Sequence, residues 1–154
     1  MKIFFRFLFL VMLGCTLCLL TLKNSFSDEW TREYNGFSSK DVFDLTDGSK
    51  ISHYKNQGTW KDSLGNYGVQ KCMGLIEINS QGRIIDWKLF CQGYDQDEQQ
   101  FTIEYFRNTD MAAGTGTYVY VDGEGFWKNY IGVTCKYAVS YLQDAMFILE
   151  KCKK

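Results

Sequence analysis

Thr134-Cys135-Lys136-Tyr137-Ala138-Val139-Ser140-Tyr141-Leu142-Gln143-Asp144-Ala145-Met146-Phe147-Ile148-Leu149-Glu150-Lys151-Cys152 is the stretch that decides the fold. Cys135, Tyr137, Val139 and Tyr141 share one face of an extended chain, and Thr134, Lys136, Ala138 and Ser140 share the other. A period of two with β-branched and aromatic residues is the mark of a strand. A two-residue loop at Gln143-Asp144 folds the second half back on the first. It sets Tyr141 opposite Met146, Val139 opposite Ile148, Tyr137 opposite Glu150 and Cys135 opposite Cys152. Directly opposed side chains are close enough to bond, so this register predicts a disulfide between Cys135 and Cys152. It also leaves one acid, Glu150, beside a phenol on a face that is otherwise apolar.

The same geometry recurs earlier in the chain. Cys72 and Cys91 flank Asn79-Ser80-Gln81-Gly82, and a two-residue loop at Gln81-Gly82 brings the two cysteines opposite each other. One face then carries Cys72, Gly74, Ile76 and Ile78 against Arg83, Ile85, Trp87, Leu89 and Cys91. The other face puts Glu77 across from Asp86, an unfavourable pairing of like charges. Three readings remain for it: a wet face, a register one step off, or a cation held there.

Outward from these hairpins the chain is a series of short strands and turns. Strands are expected at Val42 to Leu45, Ile51 to Tyr54 with an extension through Trp60, Phe101 to Arg107, Tyr118 to Val121 and Phe126 to Tyr130. Asp47-Gly48, Leu64-Gly65-Asn66 and Gly123-Glu124-Gly125 are turns. Tyr94 to Gln100 and Asn108 to Gly116 read as loops. The segment Asp28 to Tyr34 reads as one helical turn or a loose arm. No amphipathic helix of any length is present, which excludes a parallel α/β sheet. About eight closely spaced strands with turns at short, regular intervals predict an all-β fold, a sandwich or a barrel, stapled by two hairpin disulfides.

The chain has 154 residues and a formal net charge of −1. Lys2 and Arg6 precede an apolar run from Ile3 to Leu22, and Ser25-Phe26-Ser27 supplies small residues before Asp28. Residues 1–27 are therefore expected to be a signal peptide and residues 28–154 a single barrel domain. An uncleaved membrane anchor is one alternative, since the run approaches bilayer-spanning length. Lipidation at Cys15 is another. Cleavage removes three of the 17 cations and none of the 18 acids, leaving a mildly acidic domain. That balance argues against nucleic acid as a partner, and after cleavage no membrane association is expected. Four cysteines remain in an exported chain, which reads as two disulfides and a secreted or periplasmic location.

Candidate functional residues follow from the strand faces. Trp87, Tyr105, Arg107, Tyr137, Tyr141 and Glu150 are the residues expected to line a site for a small apolar or aromatic ligand. A buried Glu150 among tyrosines could act as an acid or base, or could simply order one end of a barrel. Arg107, following Phe101, Ile103 and Tyr105 on one face, could hold a carboxylate or could reach to water. His53 reads as a surface or structural residue. Asp95-Gln96-Asp97-Glu98 lacks the glycine and the distal acid of a calcium loop. One histidine in the chain and no short Cys-x-x-Cys spacing give no zinc motif. No phosphate loop or nucleophile elbow is present, so no cofactor or metal and no catalytic residue is assigned. Twenty-one of the 26 aromatic residues lie beyond residue 27. They can serve as core filler or as a stacking surface for a sugar or an apolar molecule. Three functions follow: a ligand-binding barrel, a filled barrel serving protein interaction, and a cofactor-free isomerase or cyclase.

Two resemblances point the same way. Gly114-Thr115-Gly116, Val121-Asp122-Gly123-Glu124-Gly125-Phe126 and Gly132-Val133-Thr134 resemble the glycine pattern of allene oxide cyclase-like and dirigent-like barrels. This implies an all-β fold that is a single antiparallel β-barrel of about eight strands, calycin-like or allene oxide cyclase-like, with an apolar cavity and, in some members, cyclisation or stereochemical control. Gly58-Thr59-Trp60-Lys61-Asp62-Ser63-Leu64-Gly65-Asn66 is similar to the opening motif of avidins. Asp62 and Asn66 stand there at positions of polar ligand contacts.

Overall fold

A computed structural model describes residues 29–107 and 114–154. The expected leader and residues 108–113 of the expected 108–116 loop lie outside the described residues. Eight antiparallel strands follow one another around a closed barrel: β1 (Glu29–Asp44), β2 (Lys50–Asp62), β3 (Tyr67–Ile78), β4 (Ile84–Asp95), β5 (Gln100–Arg107), β6 (Thr115–Gly123), β7 (Thr134–Leu142) and β8 (Ala145–Lys153). Each strand pairs with its neighbour in sequence, and β1 also pairs with β8. Closure removes the two open edges of the sheet; beyond Phe37 the far end of β1 pairs with β2 alone. No helix among the described residues is long and apolar enough to cross a membrane.

The hairpin of β7 and β8 has the register its sequence dictates, from Cys135 opposite Cys152 to Leu142 opposite Ala145. Gln143, in the two-residue loop, takes a left-handed backbone with φ 58°. In the hairpin of β3 and β4 the expected pairing holds from Cys72 opposite Cys91 to Glu77 opposite Asp86, then shifts so that Ile78 meets Ile84. The connection is therefore longer than a two-residue loop. Asn79 organises it: its Oδ1 accepts from the backbone N–H of Gln81 and Arg83 at 3.1 and 2.9 Å. The shift leaves Ile85 as an extra residue on β4, the hallmark of a bulge, and Ile85 lies exposed on the outside. Glu77 and Asp86 are both exposed, so the like-charged face is wet. Both disulfides form as expected, Cys72–Cys91 and Cys135–Cys152, and all four cysteines are buried inside the barrel.

Two further expectations are corrected. The segment from Glu29 to Tyr34 is neither a helical turn nor a loose arm; it opens β1, and the expected strand at Val42 is that strand's far end. Its even-numbered residues Trp30, Arg32 and Tyr34 are buried and its odd-numbered ones exposed. Alternation wins because closing the barrel needs a strand to pair with both β2 and β8.

The second correction concerns Phe126 to Tyr130, which is not a strand. Gly125–Tyr130 forms a short 3-10 helix. A three-residue period places Trp127 and Tyr130 on one side, and both are buried there. A strand would have pointed them to opposite faces.

The core is built largely of rings. Trp127 lies 4.6 Å from Phe101, 5.5 Å from Trp60 and 5.8 Å from Tyr120 between ring centroids. Glycine on the inner face makes room for such rings. A Cβ at Gly93 would collide with the Phe101 ring, and one at Gly116 with the Tyr137 ring.

Candidate functional site

The inner face divides into layers along the barrel axis. One end is sealed by the 3-10 helix and its ring cluster. Trp127 donates from Nε1 to Asp95 Oδ2 at 2.8 Å, which gives the buried indole a partner. Asp95 also accepts from the backbone N–H of Asp97 and Gln99, both at 2.9 Å. The acidic run Asp95 to Glu98 thus makes the turn between β4 and β5. Among the described residues no cluster of His, Cys, Asp and Glu is placed to hold a metal ion.

The central layer is polar and fully buried. Arg32 on β1 and Glu150 on β8 are directly opposite each other. The Arg32 Nε donates to Glu150 Oε2, and Nη2 reaches Oε1 at 3.2 Å. Tyr105 also donates to Oε1, and Tyr118 to Oε2 at 3.0 Å. Four donors match the roughly four lone-pair sites of a carboxylate, so Glu150 has no free acceptor position for a substrate proton. Arg32 Nη2 also donates to Gln70 Oε1 at 2.9 Å. Nη1 has no hydrogen-bond partner among the described residues. The guanidinium is instead enclosed by rings, 5.4 Å from the centroids of Trp60 and Phe101 and 5.6 Å from Tyr118, where cation–π attraction holds it.

This layer sets the ionisation of its members. Burial opposes the Arg32 charge, but the Glu150 carboxylate and the surrounding phenols outweigh it and hold the guanidinium well above its usual value. Burial first, and then the Glu150 charge, push the phenols of Tyr105 and Tyr118 well above theirs. Burial pushes Tyr120 up to about 12.

Above the central layer lies a narrow pit. Its volume is about 20 Å³, and its wall includes Trp87, Leu89, Tyr105, Tyr137, Met146 and Ile148. That is room for about one water molecule. At the end of the barrel that carries the β1–β2 and β7–β8 turns, the described residues bound a mouth of about 720 Å³. Val42, Ile76, Ile78 and Ile84 form its apolar wall, with Lys40, Lys50 and Asp144 among its polar residues. Tyr54 and Tyr141 line both spaces. The Tyr54 hydroxyl lies 3.6 Å from Met146 Sδ across the opening. Ser52 belongs to the wall of the mouth and is 1% exposed, yet its Oγ has no hydrogen-bond partner among the described residues. An unsatisfied buried hydroxyl is uncommon and calls for an explanation.

The residues expected to line a site are largely brought together. Trp87, Tyr105, Tyr137 and Tyr141 line the pit. Glu150 lies beneath it, bonded to Tyr105. Arg107 ends β5 opposite Trp87, and its side chain lies outside the described residues. His53 sits on the outer face, with Nδ1 4.0 Å from Asp41.

Sequence reasoning missed Arg32, Gln70 and Ser52. For Arg32 a signal was present, since Trp30-Arg32-Tyr34 puts a cation between two rings at strand spacing. Ser52 carried no signal, because a serine in a strand is ordinary until its partners are known. The chain matches no protein-family model, no curated protein and no solved structure.

Proposed function

We propose that the protein is exported and binds a small, partly apolar molecule in the open mouth of the barrel. The observation that carries this reading is the contrast between the two ends. One end is filled by Trp127 and its neighbouring rings, while the other opens into about 720 Å³ of space with an apolar wall. Ligand pockets occupy about 300–1,000 Å³ and combine apolar walls with a few polar groups. Below the mouth the barrel is packed, so the ligand sits near the opening and not along the axis. Export is supported by the apolar run from Ile3 to Leu22 and by two buried disulfides, which persist in oxidising compartments.

Isomerase or cyclase chemistry built on Glu150 has weaker support. That carboxylate is sealed under the pit and already accepts four hydrogen bonds. A filled barrel serving protein interaction is favoured by the small volume of the pit and by the large apolar side chains exposed on the outer face, among them Met73, Leu75, Phe90, Phe147 and Leu149.

Native mass spectrometry tests the reading on protein recovered from an oxidising compartment without reductant. The expected result is a chain lacking the leader, about four hydrogens lighter than its reduced form, that takes up one equivalent of an apolar probe such as 1-anilinonaphthalene-8-sulfonate. Free thiols would remove the export argument. Failure to take up the probe would favour the interaction module.

A further inference from the structure

Building on the mouth as a ligand site, we propose that it selects molecules with an apolar body and one anionic end, and that Lys40 and Ser52 read that end. Lys40 stands opposite Tyr54 across β1 and β2, and Ser52 is two residues from Tyr54 on the same inner face. Lys40 and Ser52 are therefore diagonal neighbours, a spacing of roughly 7–8 Å that a long side chain spans. Their donors can converge on one carboxylate.

The charges around the mouth are unequal in their pairing. Lys50 is matched by Asp44 at 2.8 Å. Lys40 makes no ion pair among the described residues, and neither does Asp144, which stands at the turn between β7 and β8 with its backbone carbonyl held by the Ser38 N–H at 2.9 Å. Lys40 alone has a second donor beside it on the neighbouring strand. Ser52 is flanked on its rung by Val42 and Ile76. Its hydroxyl is thus the polar point of an apolar ring, and it lacks a partner. A ligand oxygen delivered there satisfies the hydroxyl and removes the penalty of burying it unpaired. The apolar part of the same ligand then lies against Ile76, Ile78 and Ile84.

Isothermal titration with three probes of one chain length tests this, each below its micelle concentration: dodecanoate, dodecanol and dodecyltrimethylammonium. Dodecanoate is expected to bind about tenfold tighter than dodecanol, the scale of one charge-assisted hydrogen bond, and the ammonium compound not to bind. Lys40→Gln should remove the dodecanoate advantage while leaving dodecanol affinity unchanged. Ser52→Ala should weaken dodecanoate several-fold. Equal affinities for dodecanoate and dodecanol, or unchanged dodecanoate affinity in both variants, would overturn the proposal and leave the mouth as an apolar site. If none of the three binds, the mouth reading fails with it.

Discussion

Arg32 and Glu150, separated by 118 residues in sequence, stand directly opposite each other on β1 and β8 and form a fully buried ion pair at the seam where the barrel closes. The pair joins the first strand to the last, on the strand pairing that closes the barrel. A buried pair of this kind is costly to break, because removing one partner leaves the other charged and unpaired. Arg32→Met or Glu150→Leu is expected to destabilise the fold by about 3–5 kcal/mol in urea unfolding. The double variant Arg32→Met/Glu150→Leu should recover much of that loss. Additive single losses in the double variant would show that the two residues act separately.

Alkali should unfold the protein through its buried phenols. Tyr120 is raised from 10.0 to about 12 in the folded state. A raised folded-state value means stability is fully present below the unfolded value and is lost as pH rises through the folded one. The window is therefore about pH 10 to 12. One fully buried phenol shifted by this much contributes on the order of 3 kcal/mol across it. Tyr120→Phe keeps the ring against Trp127 and should shallow the alkaline transition with little change at pH 7. Circular dichroism against pH measures both, and an unaltered alkaline slope would contradict the assignment.

The plug should be the most sensitive apolar position. Trp127→Ala removes a ring packed against Phe101, Trp60 and Tyr120 and leaves Asp95 without its indole donor. Loss of about 3–5 kcal/mol is expected. Trp127→Phe keeps most of the packing and should cost less, about 1.5–3 kcal/mol for the missing hydrogen bond to a carboxylate. Equal losses for the two variants would place the energy in the hydrogen bond and not in the packing.

Ser52 makes the opposite prediction. Its hydroxyl is buried and unpartnered, so Ser52→Ala should raise stability by about 1 kcal/mol in the absence of ligand. A stabilising substitution at a wall position is the expected mark of a group kept for binding. A thermal melt that falls on substitution would mean the hydroxyl has a partner in solution.

Each disulfide closes a loop, with sequence separations of 19 and 17. Chain entropy gives each about 3 kcal/mol. Reduction under denaturing conditions, followed by refolding with the thiols blocked, should lower the urea midpoint substantially. A midpoint unchanged by reduction would leave the bridges with no role in stability.

Much of this fold is legible in the sequence where two residues constrain each other. Cys135 with Cys152, and Cys72 with Cys91, fix two registers because a disulfide demands opposition. The bulge at Ile85 is not legible, because Asn79 sets the loop through backbone hydrogen bonds that composition does not reveal. Phe126 to Tyr130 misleads because a short aromatic run has the composition of a strand, while the three-residue spacing that puts Trp127 and Tyr130 on one side is the signal of the 3-10 helix. Of the site, the aromatic wall was legible from strand faces. Arg32 carries a local signal in Trp30-Arg32-Tyr34, but its partners Glu150 on β8 and Gln70 on β3 are set by the closed barrel. Ser52 is not legible because a serine in a strand is ordinary until its unpaired burial is seen.

The most direct test of the ligand account is to map amide shifts by ¹H–¹⁵N NMR during titration with dodecanoate. Saturable shifts at Lys40, Ser52, Ile76, Ile78 and Tyr141, with the Trp127 indole resonance unmoved, are the predicted result. Shifts confined to the outer face around Met73 and Phe90, or movement of the Trp127 indole instead of the mouth residues, would contradict it.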